Sequence, residues 1–147
     1  MQNNLLGIVF SILAGFLMSI QGVFNTRCSE KIGLWETNIV VQITGFIFTL
    51  VILLIVGNGD FKKITQVNKL YLLGGVIGVL IIYFVMRGIS ELSPTYSIST
   101  ILIAQLITAA AIDFFGLFGT EKVPFHYTKI IGVILMVAGI IIFKLKG

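Results

Sequence analysis

Three groups able to do chemistry stand close together in AQLITAAAIDFFGLFG (104–119): the amide of Gln105, the hydroxyl of Thr108 and the carboxylate of Asp113, in an otherwise apolar run. A carboxylate at the middle of a bilayer costs roughly 2.5–3.5 kcal/mol on insertion scales, and less towards the interface. A bare hydrophobic anchor would not carry one there. An amide and a hydroxyl can hydrogen-bond a solute, and an acid can gate or couple its passage. A second such set is Asn38, Gln42, Gly45 and Thr49. Spaced i, i+4, i+7, i+11, they fall within about 60° of one another on a helix. A narrow polar stripe on an apolar helix points at a neighbouring helix or at water. Gln21 and Asn25, four apart, share a third face and either bond a neighbouring helix or line a cavity. On the fourth run Ser97, Gln105 and Thr108 lie within about 80°, with Asp113 displaced towards the membrane edge.

The elements that must position these groups follow from composition. The chain is 57% apolar and 11% charged, whereas soluble domains average about 25% charged, so a soluble core protein is excluded. Its 16 glycines against 2 prolines mark packing positions in helices rather than disorder. Cys28 stands alone, which excludes an intrachain disulfide framework and a cysteine-cluster metal site. The formal charge of +4 belongs to loops and does not argue for nucleic acid. Residues 1–4 lack a basic region and 5–24 are long enough to span, so no cleavable signal peptide is expected.

Five apolar runs are long enough to cross a hydrocarbon core of about 30 Å: 5–24, 37–56, 70–86, 95–118 and 128–143. Backbone groups cannot stay unpaired in lipid, and the runs do not alternate as barrel strands would, so each is a helix. The expected fold is all-α and integral to the membrane, a single five-helix domain over 1–147. Small residues (Gly7, Ser11, Gly15, Ser19, Gly22) stripe the first helix and let another helix approach. Trp35 and Glu36 are placed just before the second helix, with Trp35 an interfacial anchor. Arg87 can snorkel to the interface or reach a carboxylate such as Asp113 or Glu91. Asp113 itself could instead be a helix-end carboxylate paired to Arg87 or Lys122. Pro94 opens the fourth helix, where proline is tolerated. The fifth helix has Gly132 and Gly139 seven apart and almost no polar atoms, so it faces lipid or packs against a copy of itself.

Lysine and arginine in the short loops orient a membrane protein. One side of the five helices holds Lys62, Lys63, Lys69, Lys122 and Lys129, and the other holds Arg27, Lys31, Arg87, Lys144 and Lys146. The bias is zero. A chain without bias can insert both ways round, and an odd helix count makes the two orientations inverted repeats, the arrangement from which many transporters build alternating access. An antiparallel homodimer of ten helices is expected. A single orientation fixed by the order of translocation is the other possibility.

SIQGVFNTR (19–27), the 104–119 stretch and VPFHYTKIIGVILMVAGIIIF (123–143) together resemble a bacterial family of five-helix inner-membrane exporters. That family belongs to the drug/metabolite transporter superfamily and is related to the small multidrug resistance proteins. The resemblance covers essentially the whole chain. It implies an antiparallel two-domain assembly, made with itself or with a homologous half of opposite orientation, in the bacterial inner membrane. It also implies that the fifth helix, through Gly132 and Gly139, is a dimer contact. The chain departs from its small multidrug resistance relatives in one respect. Those exporters centre on a membrane-embedded glutamate in the first helix, whereas the first helix here is expected to hold no acidic residue, with Ser19 and Gln21 as its nearest polar groups. Glutamate-based proton antiport does not carry over.

The leading expectation is a small-molecule exporter with Gln21, Asn25, Asn38, Gln42, Gln105 and Thr108 lining a cavity, and Asp113, Arg87 and Glu36 as gate or coupling groups. Amides and hydroxyls suit neutral polar or weakly charged solutes. A passive channel made by two inverted copies, or an accessory subunit whose polar stripes only join helices, are the alternatives. Enzyme chemistry, a metal and a cofactor are not expected. Ser97 and Ser99 have no base nearby, and His126 sits in a loop beside Phe125 and Tyr127.

Overall fold

In lipid the backbone has only itself to bond, and the described part of the chain is helices joined by short irregular segments. The structure, a computed structural model, describes residues 2–124 and 126–145. Phe125, and Lys146 from the charge balance, lie outside them. Among the described residues five α-helices follow in order: α1 Gln2–Ile32, α2 Leu34–Val56, α3 Gly74–Leu92, α4 Pro94–Phe115 and α5 Tyr127–Lys144. Among the described residues there is no strand. The first four helices are long and apolar enough to cross a membrane. The fifth is apolar but shorter, and its 18 residues rise about 27 Å.

The helix boundaries differ from the apolar runs in an instructive way. α1 continues eight residues past the first run, through Arg27, Glu30 and Lys31 to Ile32. Hydropathy marks where the lipid ends, not where the helix ends. The ion pair of Arg27 with Glu30 (3.1 Å) supports the extra turns. The first helix therefore does hold an acidic residue, but an exposed one in its last turn rather than one among the apolar turns. Trp35 and Glu36 do not precede α2; they lie in its first turn. Residues 61–66 and 69–73 form 3-10 turns, so α3 begins at Gly74 rather than at 70. Pro94 is in the first turn of α4 as expected. That helix stops at Phe115, short of 118, because Gly116 takes the left-handed conformation (φ 64°) and Phe118 follows with φ 57°.

Two of the connections are single residues with matching backbones. Gly33, between α1 and α2, has φ 99° and ψ 158°; Ser93, between α3 and α4, has φ 128° and ψ 156°. Only glycine enters this region readily. At Gly33 a side chain would also collide with the carboxylate of Glu36, which folds back over it. In each case the carbonyl of the corner residue accepts the backbone N–H four residues on, from Thr37 (3.1 Å) and from Ser97 (3.0 Å). Both of those hydroxyl residues are buried.

Contacts divide the chain into two compact units, 1–91 and 92–147. In the first, α1 packs on α2, and α3 closes against both. Gly22 admits α3 to α1: a Cβ there would lie 3.0 Å from Ile89 Cδ1 and 3.1 Å from Val85 Cγ1. Among the three glycines of the α1 stripe it is the one used in this way. Gly7 and Gly15 have nothing within 4 Å of where a Cβ would sit. In the second unit α4 packs on α5.

Candidate functional site

The polar groups that the first unit buries are confined to one end of it. Asn25 and Thr26 near the end of α1, and Thr37 and Asn38 at the start of α2, are buried alongside Met86 and Ile89 of α3. Local bonding accounts for part of this. Thr26 Oγ1 donates to the carbonyl of Gly22 one turn back (2.8 Å), as hydroxyls in helices commonly do. Asn38 Nδ2 donates across the helix interface to the carbonyl of Val79 on α3 (2.8 Å). One turn earlier on α2, Trp35 stacks on Tyr83 of α3, with ring centroids 4.7 Å apart. These contacts run 35 to 38 along α2 as they run 83 to 79 along α3, so the two helices are antiparallel.

Two polar atoms remain without partners in this end. Thr37, 0% exposed, has no hydrogen bond at Oγ1, and Asn38, 2% exposed, has none at Oδ1. A buried polar atom left unpaired costs about 1–3 kcal/mol, so native proteins rarely keep one without cause. The stripe on α2 that starts here changes character along the helix. Asn38 is buried and Gln42 half-buried, but Gly45 and Thr49 are exposed, with nothing within 4 Å of a Cβ at Gly45.

The remaining sequence candidates fall as follows. Gln21 is exposed on α1, one turn before the buried Asn25. Glu36 is exposed over Gly33, and its neighbour Trp35 is half exposed. Arg87 pairs with Glu91 on its own helix (3.1 Å), one of the two acids the sequence offered it, and both side chains are more than half exposed. In the second unit Ser97 is buried in the first turn of α4, whereas Gln105 and Thr108 are exposed. Thr108 Oγ1 is bonded to the carbonyl of Ala104 (2.8 Å), within its own helix. Asp113 is half-buried. Its backbone carbonyl accepts the N–H of Val123 (2.9 Å), tying the loop after α4 back to the helix, while its carboxylate forms no ion pair among the described residues. Gly132 is half-buried and Gly139 exposed, and neither has a neighbour within 4 Å of a Cβ. His126 is exposed, with the ring of Tyr127 5.6 Å away. Among the described residues no three His, Cys, Asp or Glu side chains are grouped to hold a metal ion.

The first unit thus places Asn25 and Asn38 in one buried polar end and leaves Gln42 at its margin. Thr26 and Thr37 belong to that end but carried no sequence signal as threonines. Their one mark is that each adjoins an asparagine already singled out, on either side of the corner glycine.

Comparison with known proteins gives one family. The model of a family described as "Putative inner membrane exporter, YdcZ" matches residues 6–142, nearly the whole chain. No curated protein and no solved structure matches. The chain belongs to this family of inner-membrane exporters, and it is a multi-pass protein of the bacterial inner membrane.

Proposed function

We propose that this member of the exporter family carries a small polar or weakly charged solute by alternating access, as a homodimer of two copies inserted in opposite orientations. The observation that carries the reading is the stripe on α2, buried at Asn38 and open at Gly45 and Thr49. Hydrocarbon is a poor solvent for amides and hydroxyls, so such a stripe requires a polar neighbour or water. A second copy supplies it, and the balance of five cationic residues on each side lets that copy be inverted. In this assembly the amides of Asn25, Asn38, Gln42 and Gln105 and the hydroxyl of Thr108 serve the solute. Gln21 stands at the margin of the same pathway. Asp113, Arg87 and Glu36 lie near helix ends and act as gates or coupling groups. Gly132 and Gly139 are contacts between copies. The reading makes the protein a carrier, with no covalent chemistry and no cofactor.

Two measurements test it together. In a Cys28→Ser background, single cysteines replace Asn58, beyond α2, and Ile32, before its start; both positions are exposed and uncharged, so the charge balance is kept. Labelling from outside intact cells is expected to reach each position in part of the population. Complete labelling of one and none of the other would remove the inverted homodimer and direct attention to a homologous half of opposite orientation. Flux into proteoliposomes that saturates and is accelerated by solute on the far side supports a carrier. Flux that rises linearly to high concentration supports a channel instead.

A further inference from the structure

We propose that the α4–α5 pair holds an anionic phospholipid, with the acyl chain in the groove between the helices and the phosphate between Lys122 and Lys129. The groove has a volume of about 470 Å³ and is walled by Ile107, Ala110 and Phe114 of α4 and by Ile130, Val133 and Ile134 of α5. Its exposed lining is apolar throughout. Ala110 and Ala111 keep it open where larger side chains would close it. From 107 to 115, α4 rises about 12 Å, close to the depth of one leaflet of a 30 Å hydrocarbon core. The depth therefore suits one acyl chain entering from one side.

The end of the groove beside the 116–126 loop sets the headgroup. Lys129 contributes its methylenes to the wall, which carries the ammonium out towards the interface. An adjoining hollow of about 460 Å³ shares Phe114 and Phe115 with the groove and is walled by Lys122, Val123 and Pro124. Neither lysine is ion-paired among the described residues. Neither Asp113 nor Glu121 lines either hollow. Two free cations at the mouth of an apolar slot one leaflet deep match a phosphate with its tail. A further hollow along the same helix pair, between Tyr96 and Leu145, has no charged residue in its lining, so headgroup selection is confined to the Lys122–Lys129 end.

A second copy of the chain is the competing occupant, and the helix wheel argues against it. Ile130, Val133, Ile134 and Val137 lie on one side of α5, while Gly132 and Gly139 lie about 150° away at 100° per residue. Dimer contact through the glycines leaves the groove facing lipid.

The test is retention of lipid by the purified protein, measured by native mass spectrometry with an equimolar mixture of phosphatidylglycerol and phosphatidylcholine of the same acyl chains. The wild type is expected to keep the anionic lipid preferentially. Each lysine near an anionic headgroup contributes about fivefold, so Lys122→Gln with Lys129→Gln lowers the preference by up to about twenty-five-fold, towards parity. The Lys122→Arg, Lys129→Arg double variant preserves charge and retains the preference, which separates loss of charge from loss of fold. Ala111→Trp fills the slot and lowers retention of both lipids. A preference unchanged by the glutamine variants overturns the proposal. So does Ala111→Trp leaving lipid retention intact while dissociating the oligomer, since the occupant would then be a second copy.

Discussion

Replacing Thr37 by valine removes one hydroxyl and leaves the side-chain shape almost unchanged, which makes it a direct probe of the buried polar end. Thr37 is wholly buried and its Oγ1 has no partner. An unpaired buried hydroxyl costs about 1–3 kcal/mol, and Thr37→Val relieves that cost. For a chain of this length each kcal/mol moves the melting temperature by about 2–4 °C, so a rise of roughly 2–12 °C is expected. Asn38 provides the contrast. Asn38→Leu removes an orphaned acceptor, but it also removes the bond to Val79, and interhelical bonds of this kind average about 0.6 kcal/mol with a maximum near 1.7. The relief of about 1–3 kcal/mol outweighs the lost bond on average, so a smaller rise than for Thr37→Val is expected. Asn38→Asp places a carboxylate without a partner in the same pocket and should cost about 3–5 kcal/mol. Melting of the purified protein in lipid nanodiscs reads all three. A parallel exchange assay in proteoliposomes then separates structure from function: if the hydroxyl is used in another conformation of a carrier, Thr37→Val slows exchange while raising the melting temperature. A fall in melting temperature for Thr37→Val would refute the reasoning, because the hydroxyl would then have a partner in the assembled protein.

Other expectations concern the corners and the packing. Gly33→Ala should cost about 1–3 kcal/mol, because φ 99° with ψ 158° is free of strain only for glycine, and the added methyl meets the Glu36 carboxylate. Ser93→Gly should raise thermal stability by a similar amount, since Ser93 holds the same strained region without being glycine. At Gly22 the atoms facing an added Cβ are the ends of Ile89 and Val85, which can turn aside. Gly22→Ala is therefore expected to be tolerated, and Gly22→Leu to lose about 1–3 kcal/mol by overpacking; both are read by melting in detergent. Glu91→Gln breaks an exposed ion pair with Arg87 and should shift stability by less than about 1 kcal/mol, with the smaller shift at high salt.

The helical, membrane-spanning character was legible because hydrocarbon imposes it on any long apolar run. Pro94 marked the start of α4 for an equally local reason. The helix ends were not legible. Arg27 and Lys31 read as loop, yet α1 runs through them, since charged residues outside the lipid remain good helix formers. The glycine at position 33 was passed over because a one-residue corner has no compositional signature, only a backbone angle. At the site, periodicity found Asn25 and Asn38, whose amides are buried, but it gave equal weight to Gln21 and to Gln105, which are exposed. A helix wheel gives the angle between residues and not the direction of the neighbour. Thr37 could not have been distinguished from Thr108, although one lies buried and unbonded while the other is exposed and satisfied by its own helix.

The corner at Gly33 also bears on how the protein is made. With one residue between α1 and α2, the polar stretch joining the two apolar segments is itself helix through Ile32 and holds no flexible linker. The two apolar segments must leave the ribosome's exit path and enter lipid as one hairpin. Orientation is then decided for a pair, both of whose free ends lie on the same face of the bilayer. The corner itself has to cross only with Arg27 and Glu30 already neutralising each other and Lys31 beside them. For the inverted homodimer proposed above, this keeps the energetic difference between the two ways of entering small, and lengthening the corner with flexible residues is expected to let the charges count one helix at a time and favour one orientation.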